Sequence, residues 1–146
     1  MLHFHATLHA RAPEVSPGTA IELRDVLTPT LIVPPAALAS PFAMTFEEAV
    51  AALEQLVRMF VEPDGSFVWV SSNAATEVLA PRWQLDGNLF DRNGRLLFVD
   101  LKGSCTESDL DQLLAAFGWP TTPLIFELTR EAVFLDETEF RHYAAR

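Results

Sequence analysis

The sequence of 146 residues contains one cysteine, Cys105, so the chain cannot form a disulfide bond within itself. A single cysteine is typical of a protein kept in a reducing compartment. The first 14 residues lack the basic start and unbroken apolar stretch of a secretory signal. The most apolar region, residues 31–44, is interrupted by three prolines and is too short to cross a membrane. These absences predict a soluble cytoplasmic protein that has no membrane partner.

Basic residues are scarce, and Lys102 is the only lysine. Ten basic residues face twenty acidic ones, which gives a formal net charge of −10, and no extended basic run is present. A protein with this charge repels a phosphate backbone at long range. The composition therefore disfavours nucleic acid as a partner.

The familiar catalytic and cofactor motifs are also missing, including glycine-rich phosphate loops, G-x-S-x-G, H-E-x-x-H and C-x-x-C. His3-x-His5 resembles a metal-binding pair, but His9 would lie roughly 13 Å from His5 along a strand. We therefore interpret these histidines as the solvated face of an edge strand. Cys105 precedes a helix start, where a thiolate could be stabilised. No base is nominated beyond a chance approach of His142, so we expect a buried or half-buried cysteine.

The sequence predicts one domain, residues 1–146, in three parts. Residues 2–11 alternate between apolar and polar side chains, which predicts a strand with one buried face. Residues 12–44 hold six of the ten prolines and predict an arm that lies over the domain with little regular structure, apart from short strand-like pieces at residues 20–24 and 31–33. The rest, residues 45–146, predicts an α/β core.

The core begins at a capping box formed by Thr45 and Glu48. The helix that follows is predicted to run to Phe60 because five apolar residues recur at helical spacing: Phe46, Val50, Leu53, Val57 and Phe60. Residues 66–71 are apolar on both faces, which predicts a central strand. A hairpin, a capped helix from residue 106, two strands and a helix capped by Asp136 complete the core. The three tryptophans are interpreted as core residues. The order predicts an α+β or α/β fold with a mixed sheet.

The hairpin "WQLDGNLFDRNGRLLFVDLKG" is predicted to turn at Asn93-Gly94, and two loop lengths fit. A two-residue loop pairs Arg92 with Arg95, whereas a three-residue loop with a left-handed Gly94 pairs Asp91 with Arg95. Face composition favours the three-residue loop, because a slip by one residue moves every side chain of one strand to the other face. That register collects a face that is apolar apart from one glycine: Trp83, Leu85, Gly87, Leu89, Leu97, Val99 and Leu101.

In this predicted register Asp86 lies directly opposite Asp100, on a face that also carries Lys102. Opposed side chains have Cβ atoms about 5 Å apart, and like charges at that distance destabilise a sheet. Lys102 could compensate the two carboxylates, and a bound Mg²⁺ could compensate them further. The remaining residues of this face are Gln84, Asn88, Phe90, Leu96 and Phe98.

An Asp in one strand followed across a turn by Asp100-Leu101-Lys102 resembles the signature of the PD-(D/E)XK nuclease superfamily. The predicted order helix–strand–strand–strand–helix–strand over residues 45–129 is also similar to the core of that superfamily. The resemblance implies that Asp86 and Asp100 hold Mg²⁺, and that Lys102 orients the attacking water and stabilises the charge on the phosphate. It also implies a third acidic ligand from the preceding helix: Glu47, Glu48 or Glu54.

Two functions remain open at this point. We expect an acidic, non-catalytic binding or assembly module for a protein partner, with self-association as one form of it. The alternative is a Mg²⁺-dependent nuclease or phosphodiesterase, or a degenerate relative that kept the fold. Carboxylates of Asp86 and Asp100 that converge on a concave, arginine-flanked face would favour the enzyme. Carboxylates that point outward from a flat, open sheet would favour the binding module.

Overall fold

The computed structural model describes residues 1–72 and 81–146. Within these two ranges, nine strands form the main sheet in the order β2-β5-β11-β10-β1-β9-β8-β7-β6, and β3 and β4 form a separate hairpin. The elements are β1 Leu2–Ala10, β2 Ser16–Pro17, β3 Ile21–Leu23, β4 Val26–Thr28, β5 Leu31–Ile32, a 3₁₀ helix Pro35–Ala39, α1 Phe46–Glu54, β6 Met59–Val61, β7 Ser66–Val70, β8 Gln84–Arg92, β9 Arg95–Cys105, α2 Glu107–Ala116, β10 Leu124–Leu128, β11 Val133–Asp136 and α3 Glu137–Ala144.

The α+β class, the single domain and the short C-terminal helix are confirmed. Every strand pairing in the described parts of the chain is antiparallel, so the predicted mixed sheet is wrong. The physical reason is the position of β1. Strands β9 and β10, which α2 connects, both pair with β1 and are therefore separated by it.

Strand β1 has the predicted alternation but not the predicted position. Its apolar residues Leu2, Phe4 and Leu8 are buried, as the period of two indicates. However, β1 lies in the middle of the sheet between β9 and β10 and is not an edge strand. The C-terminal end of β1 is consequently buried on both faces, and His9 is only 6% exposed.

Helices α1, α2 and α3 begin where their caps predict and cover one face of the main sheet. In the capping box, the amide of Glu48 donates to Thr45 Oγ1 at 3.1 Å, and the amide of Thr45 donates to Glu48 Oε1 at 3.2 Å. Thr106 and Asp136 accept amide hydrogen bonds at the starts of α2 and α3. Side chains of all three helices share one core with the sheet: Leu53, Leu113 and Phe140 pack there with Phe4, Leu85 and Leu101. Within the described residues, no helix combines the length and apolar character needed to cross a membrane.

Helix α1 is shorter than predicted. It ends at Glu54, and a turn with Arg58 at a φ of 62° leads into β6, a strand that the helical spacing hid. Val57 and Phe60 are therefore 69% and 61% exposed instead of buried. Because β6 precedes β7, the described residues between α1 and α2 form four strands, where three were predicted.

Strand β7 was predicted to be buried on both faces, and only one of its faces is. Phe67 and Trp69 point into the core, whereas Val68 is exposed. The Trp69 ring meets Trp83 edge-on at 5.0 Å, and Trp119 packs partly buried against the same core, so the tryptophans are core residues as predicted. The helices thus cover one face of β6–β9, and the other face is open.

The proline-rich arm has more regular structure than predicted. It adds β5 and β2 to the sheet beside β11 and contributes the β3–β4 hairpin and the 3₁₀ helix. Ala12, Val15 and Ala37 form a second small core with Ile125 of β10. Since Ile125 pairs with His9, this core lies on the face opposite the helices. The arm therefore covers one end of that face and leaves the other end open.

Candidate functional site

The turn of the β8–β9 hairpin is the two-residue loop. Asn93 and Gly94 both have positive φ, 54° and 82°, and Arg92 pairs with Arg95. This geometry is the type I′ turn that Asn-Gly favours. The predicted three-residue loop, with its Asp91–Arg95 pair, is therefore wrong.

A β-bulge directly after the turn restores the predicted faces. Asp91 pairs with Leu96, but the next pair is Phe90 with Phe98, so Leu97 is an extra residue without a partner. Beyond the bulge the polar and apolar sets alternate as predicted. Next to the turn they are reversed, because Leu96 is buried and Leu97 is half-buried.

The bulge changes which polar groups face each other. Asp86 pairs with Lys102, and Asp100 pairs with Asn88, so the predicted Asp86–Asp100 pair is wrong. All three predicted site residues, Asp86, Asp100 and Lys102, still share the open face. The two carboxylates are diagonal neighbours, whose Cβ atoms are typically about 7–8 Å apart. Each carboxylate thus has a non-acidic residue directly opposite it.

The third predicted ligand is not part of this face. Glu48 serves as the capping-box residue of α1, and α1 packs on the opposite face of the sheet. In residues 1–72 and 81–146, no three His, Cys, Asp or Glu side chains are grouped closely enough to hold a metal ion.

Asp100 and Asp86 have separate polar neighbours. His5 Nε2 lies 3.6 Å from an Asp100 carboxylate oxygen, and Thr7 Oγ1 donates to the same oxygen at 3.5 Å. Asp86 instead accepts a hydrogen bond from Gln84 Nε2 at 2.8 Å. The carboxylates therefore do not converge. In their pairings across the sheet, Asp86 lies between Val68 and Lys102, and Asp100 lies between Asn88 and Thr7, without an arginine.

His9 is enclosed at the boundary between the open face and the arm. Its ring lies between Phe98 and Phe134, at centroid distances of 5.8 and 6.0 Å, and neither ring nitrogen has a hydrogen-bond partner. Burial lowers the pKa of His9 to about 4. The Glu127 carboxylate is 3.7 Å from His9 Nε2, too far for a hydrogen bond, so desolvation decides the charge state. His9 is therefore neutral at pH 7.

Cys105 is fully buried, as expected for a structural cysteine. Burial, with a smaller contribution from the Asp109 carboxylate, raises the pKa of its thiol to about 12. A thiol with that pKa is not a nucleophile at neutral pH. The interpretation of Cys105 as a small core residue is confirmed.

A groove along α1 gathers acidic side chains, of which the sequence had singled out only Glu47 and Glu54, and those as possible metal ligands. Two adjoining clefts of about 430 and 400 Å³ share Phe46, Glu47 and Pro63. We call them together the acidic groove. Its lining includes five carboxylates and no lysine or arginine: Glu47, Glu54, Glu62, Asp64 and Asp91. Phe46 and Val50, partly buried against the core, supply apolar surface in the same groove.

Exposed apolar side chains lie on or next to β6, β7 and β8, and one of them, Phe90, lines this groove. Val57, Phe60, Val68 and Phe90 are all exposed, and we call them the apolar patch. Phe60 pairs with Val68, and Phe90 stacks on Phe98 at 4.5 Å while also lining the groove. The edge of the sheet at β6 thus combines apolar surface with negative charge.

The sequence did contain a signal for the groove. Residues 45–65 hold five acidic residues and one basic residue, Arg58. Its apolar part was hidden because Val57 and Phe60 were assigned to a buried helix stripe. Only the end of α1 at Glu54 places them at the surface.

No protein-family model, curated protein or solved structure matches this chain, so its surfaces are interpreted from their own geometry.

Proposed function

We propose that this protein is a non-catalytic binding module, and that the acidic groove and the apolar patch together bind a basic segment of a protein partner. The observation that carries the proposal is the lining of the groove, which has five carboxylates and no basic side chain. A partner with lysine or arginine side chains would neutralise this charge. Complementary charge of this kind mainly speeds association and selects the partner.

The apolar patch supplies the second part of the argument. Scattered apolar residues are normal on protein surfaces, whereas a group of them beside a polar groove is typical of an interaction site. Phe60 and Phe90 are the large anchors in this group, since aromatic side chains often dominate binding energy. Phe60 also lies on β6, which forms one edge of the sheet.

The arrangement of Asp86 and Asp100 also supports a binding role. The two carboxylates have separate polar neighbours, and in their cross-strand pairings neither lies opposite an arginine or the other carboxylate, an arrangement expected of a binding module. The net charge of −10 opposes a nucleic acid substrate. We propose a cytoplasmic location as well, which the single cysteine supports.

The alternative proposal is a Mg²⁺-dependent enzyme resembling the PD-(D/E)XK superfamily, or an inactive relative. It is supported by the one face that Asp86, Asp100 and Lys102 share. In it, Asp86 and Asp100 would bind the metal and Lys102 would stabilise charge on the substrate. The two proposals make opposite predictions for added metal, which are given in the Discussion.

Site-specific crosslinking tests the binding proposal. A photo-reactive phenylalanine analogue would replace Phe90, which lines the groove, and in a second protein Leu27, which is 71% exposed in the β3–β4 hairpin. We expect a crosslinked protein product in extracts of the source cells from position 90 and not from position 27. Higher salt should weaken it, because charge pairs at a surface are screened.

Two matched charge variants complete the experiment. Glu54→Gln with Glu62→Gln removes two charges from the groove, and Glu14→Gln with Glu22→Gln removes two exposed charges elsewhere. We expect only the groove variant to lose the product. Equal loss in both variants, or equal labelling from position 27, would refute the groove as the binding site. A crosslinked product with twice the 16.2 kDa mass of the chain would show that the partner is a second copy of the chain and not a different, basic protein.

A further inference from the structure

We propose that a second cleft, between β1, the β3–β4 hairpin and the β10–β11 turn, binds a small molecule that carries a phosphate group. The cleft has a volume of about 540 Å³, which is within the usual range for small-ligand sites. It is separate from the acidic groove and shares none of its lining residues. We call it the cationic cleft.

The charge of this cleft is opposite to that of the whole protein. Arg24, Lys102 and Arg130 line it, which is three of the ten basic residues in the chain, and Glu131 is the one acidic residue in its lining among the described residues. In a chain with a net charge of −10, such a concentration of positive charge is a specific local feature. It favours an anionic ligand.

Two of the positive charges of the cleft, on Lys102 and Arg130, are not paired with neighbouring carboxylates. In the described part of the chain, neither Lys102 nor Arg130 forms an ion pair within 4.0 Å or a hydrogen bond through its side chain. Asp86 lies opposite Lys102 in the sheet but does not line the cleft, whereas Lys102 does. The Lys102 ammonium and the Arg130 guanidinium are therefore available as donors.

Arg24 is held in place before any ligand binds. Its guanidinium donates to backbone oxygens of Tyr143 at 3.0 Å, His3 at 3.1 Å and Arg146 at 3.4 Å, and it stacks over the Tyr143 ring at 4.0 Å. Arg24 and Asp25 have φ values of 48° and 65° at the tip of the hairpin, as in a type I′ turn between the paired residues Leu23 and Val26. Because its two nearest partners are carbonyl groups, Arg24 adds a fixed positive charge to the cleft that a ligand need not order.

The cleft exists because β10 is shorter than β1. Strand β10 pairs with β1 from Ala6 to Ala10. Beyond that ladder, the only backbone hydrogen bond to this edge of β1 from a described residue is from the Thr129 amide to the His5 carbonyl. The edge of β1 from His3 to His5 is therefore left beside the turn that carries Arg130. His3 and His5 add imidazole groups that can donate hydrogen bonds to an anion.

A phosphate group fits this arrangement better than a carboxylate does. The three cations come from three separate elements, and a tetrahedral dianion can accept donors from several directions. A carboxylate, by contrast, is recognised best by one planar arginine fork. Lysine is a typical phosphate ligand because its ammonium acts as a point charge.

Titration of ¹⁵N-labelled protein with inorganic phosphate, followed by NMR at constant ionic strength, tests the proposal. We expect saturable shift changes at the amides of Arg24, Lys102, Gly103 and Arg130. Lys102→Gln and Arg130→Gln should each weaken binding about tenfold, the effect of losing one hydrogen bond to a charged group. Arg95→Gln removes the same charge from the exposed hairpin tip and should leave the affinity unchanged.

Three outcomes would overturn the proposal. The first is no saturable change at the cleft amides, and the second is equal weakening by Arg95→Gln, which would reduce the effect to bulk charge. The third is acetate binding as tightly as phosphate, which would assign the cleft to carboxylates instead. Because the variants lie outside the acidic groove, the crosslinked product at position 90 should persist in them, so failure here is distinguishable from failure of the protein-binding proposal.

Discussion

At the scale of single residues, position in the fold determines the chemistry of His9. The ring is enclosed by Phe98, Phe134 and the arm, and its nitrogens have no hydrogen-bond partners. A buried polar group without partners costs about 1–3 kcal/mol of stability. Such a histidine is a weak point of the fold, and its charging should be visible in the pH dependence of unfolding.

The pKa of His9 in the folded protein, about 4, lies below its ordinary value of 6.5, so the unfolded chain takes up the proton first as the pH falls. The contribution of His9 to the free energy of unfolding is therefore constant above about pH 7. We expect a loss of about 2 kcal/mol in the free energy of unfolding between about pH 7 and about pH 5. Urea unfolding at both pH values would measure it.

His9→Leu is the control for this prediction. The carboxylates titrate in both proteins, so the difference between the two isolates the imidazole. We expect the leucine variant to lose less stability over the same pH interval. An identical loss in both proteins would show that His9 titrates normally.

The burial of His9 could not be predicted from its own segment. The alternation in residues 2–11 correctly placed Phe4 and Leu8 inside and the histidines on the other face. At His9 that face is covered by Phe134, which is far from His9 in the sequence and packs with residues of the arm. Local periodicity reports which side a residue faces and cannot report what lies there.

At the scale of elements, Arg141 links α2 to α3. Its guanidinium approaches Asp111 at 2.6 Å and Glu107 at 3.6 Å in α2, and it also pairs with Glu137 within α3. The arginine side chain is only 13% exposed, whereas the two α2 carboxylates are half-exposed or more. The link is therefore partly screened by solvent, and its contribution is moderate.

Arg141→Met should lower the free energy of unfolding by about 1–2 kcal/mol, because it keeps the apolar stem and removes the charge between the helices. Denaturant unfolding would measure the loss, and His142→Met is the matched control on the exposed side of α3. We expect little effect from the control. Equal effects of the two substitutions would contradict a role for the ion pairs.

The β8–β9 hairpin shows what the sequence could and could not predict about elements. The faces followed from the alternation, since Leu85, Val99 and Leu101 are buried. The register did not, because a two-residue turn with a bulge at Leu97 gives the same faces as a longer loop. Two different loops therefore satisfied one hydrophobic pattern, and only the longer one paired Asp86 with Asp100.

At the scale of the whole molecule, added metal separates the two proposed functions. We expect Mg²⁺ or Mn²⁺ to shift the unfolding temperature by less than about 1 °C beyond the effect of NaCl at equal ionic strength. The reason is that Asp86 and Asp100 have separate partners and that no third acidic ligand joins them among the residues the structure describes. Thermal unfolding of the wild type and Asp100→Asn would test this.

The opposite result would favour the enzyme. A ligand that binds only the folded state raises its stability, so a metal-dependent shift in the wild type that disappears in Asp100→Asn would require a site at Asp100. Asp64→Asn is the control, because it removes a carboxylate from the acidic groove instead. A shift lost equally in both variants would indicate general charge screening.

The order of the strands was also beyond the sequence. Composition and caps predicted an α+β domain, and the elements after residue 45 appear largely where they were expected. Which strands become neighbours depends on contacts between distant segments. The central place of β1, and hence the antiparallel sheet, follows from such contacts.

That central place has a consequence for synthesis on the ribosome. Strand β1 is made first, but Leu2 pairs with Cys105, and β10 is completed later still. At roughly 5–20 residues per second, the apolar strand waits roughly 5–20 seconds for its neighbours. During this time Phe4 and Leu8 have no sheet to enter, so the nascent chain presents a strand suited to chaperone binding or aggregation. The strand at the centre of the folded sheet is thus the part of the nascent chain that is most exposed to aggregation before folding.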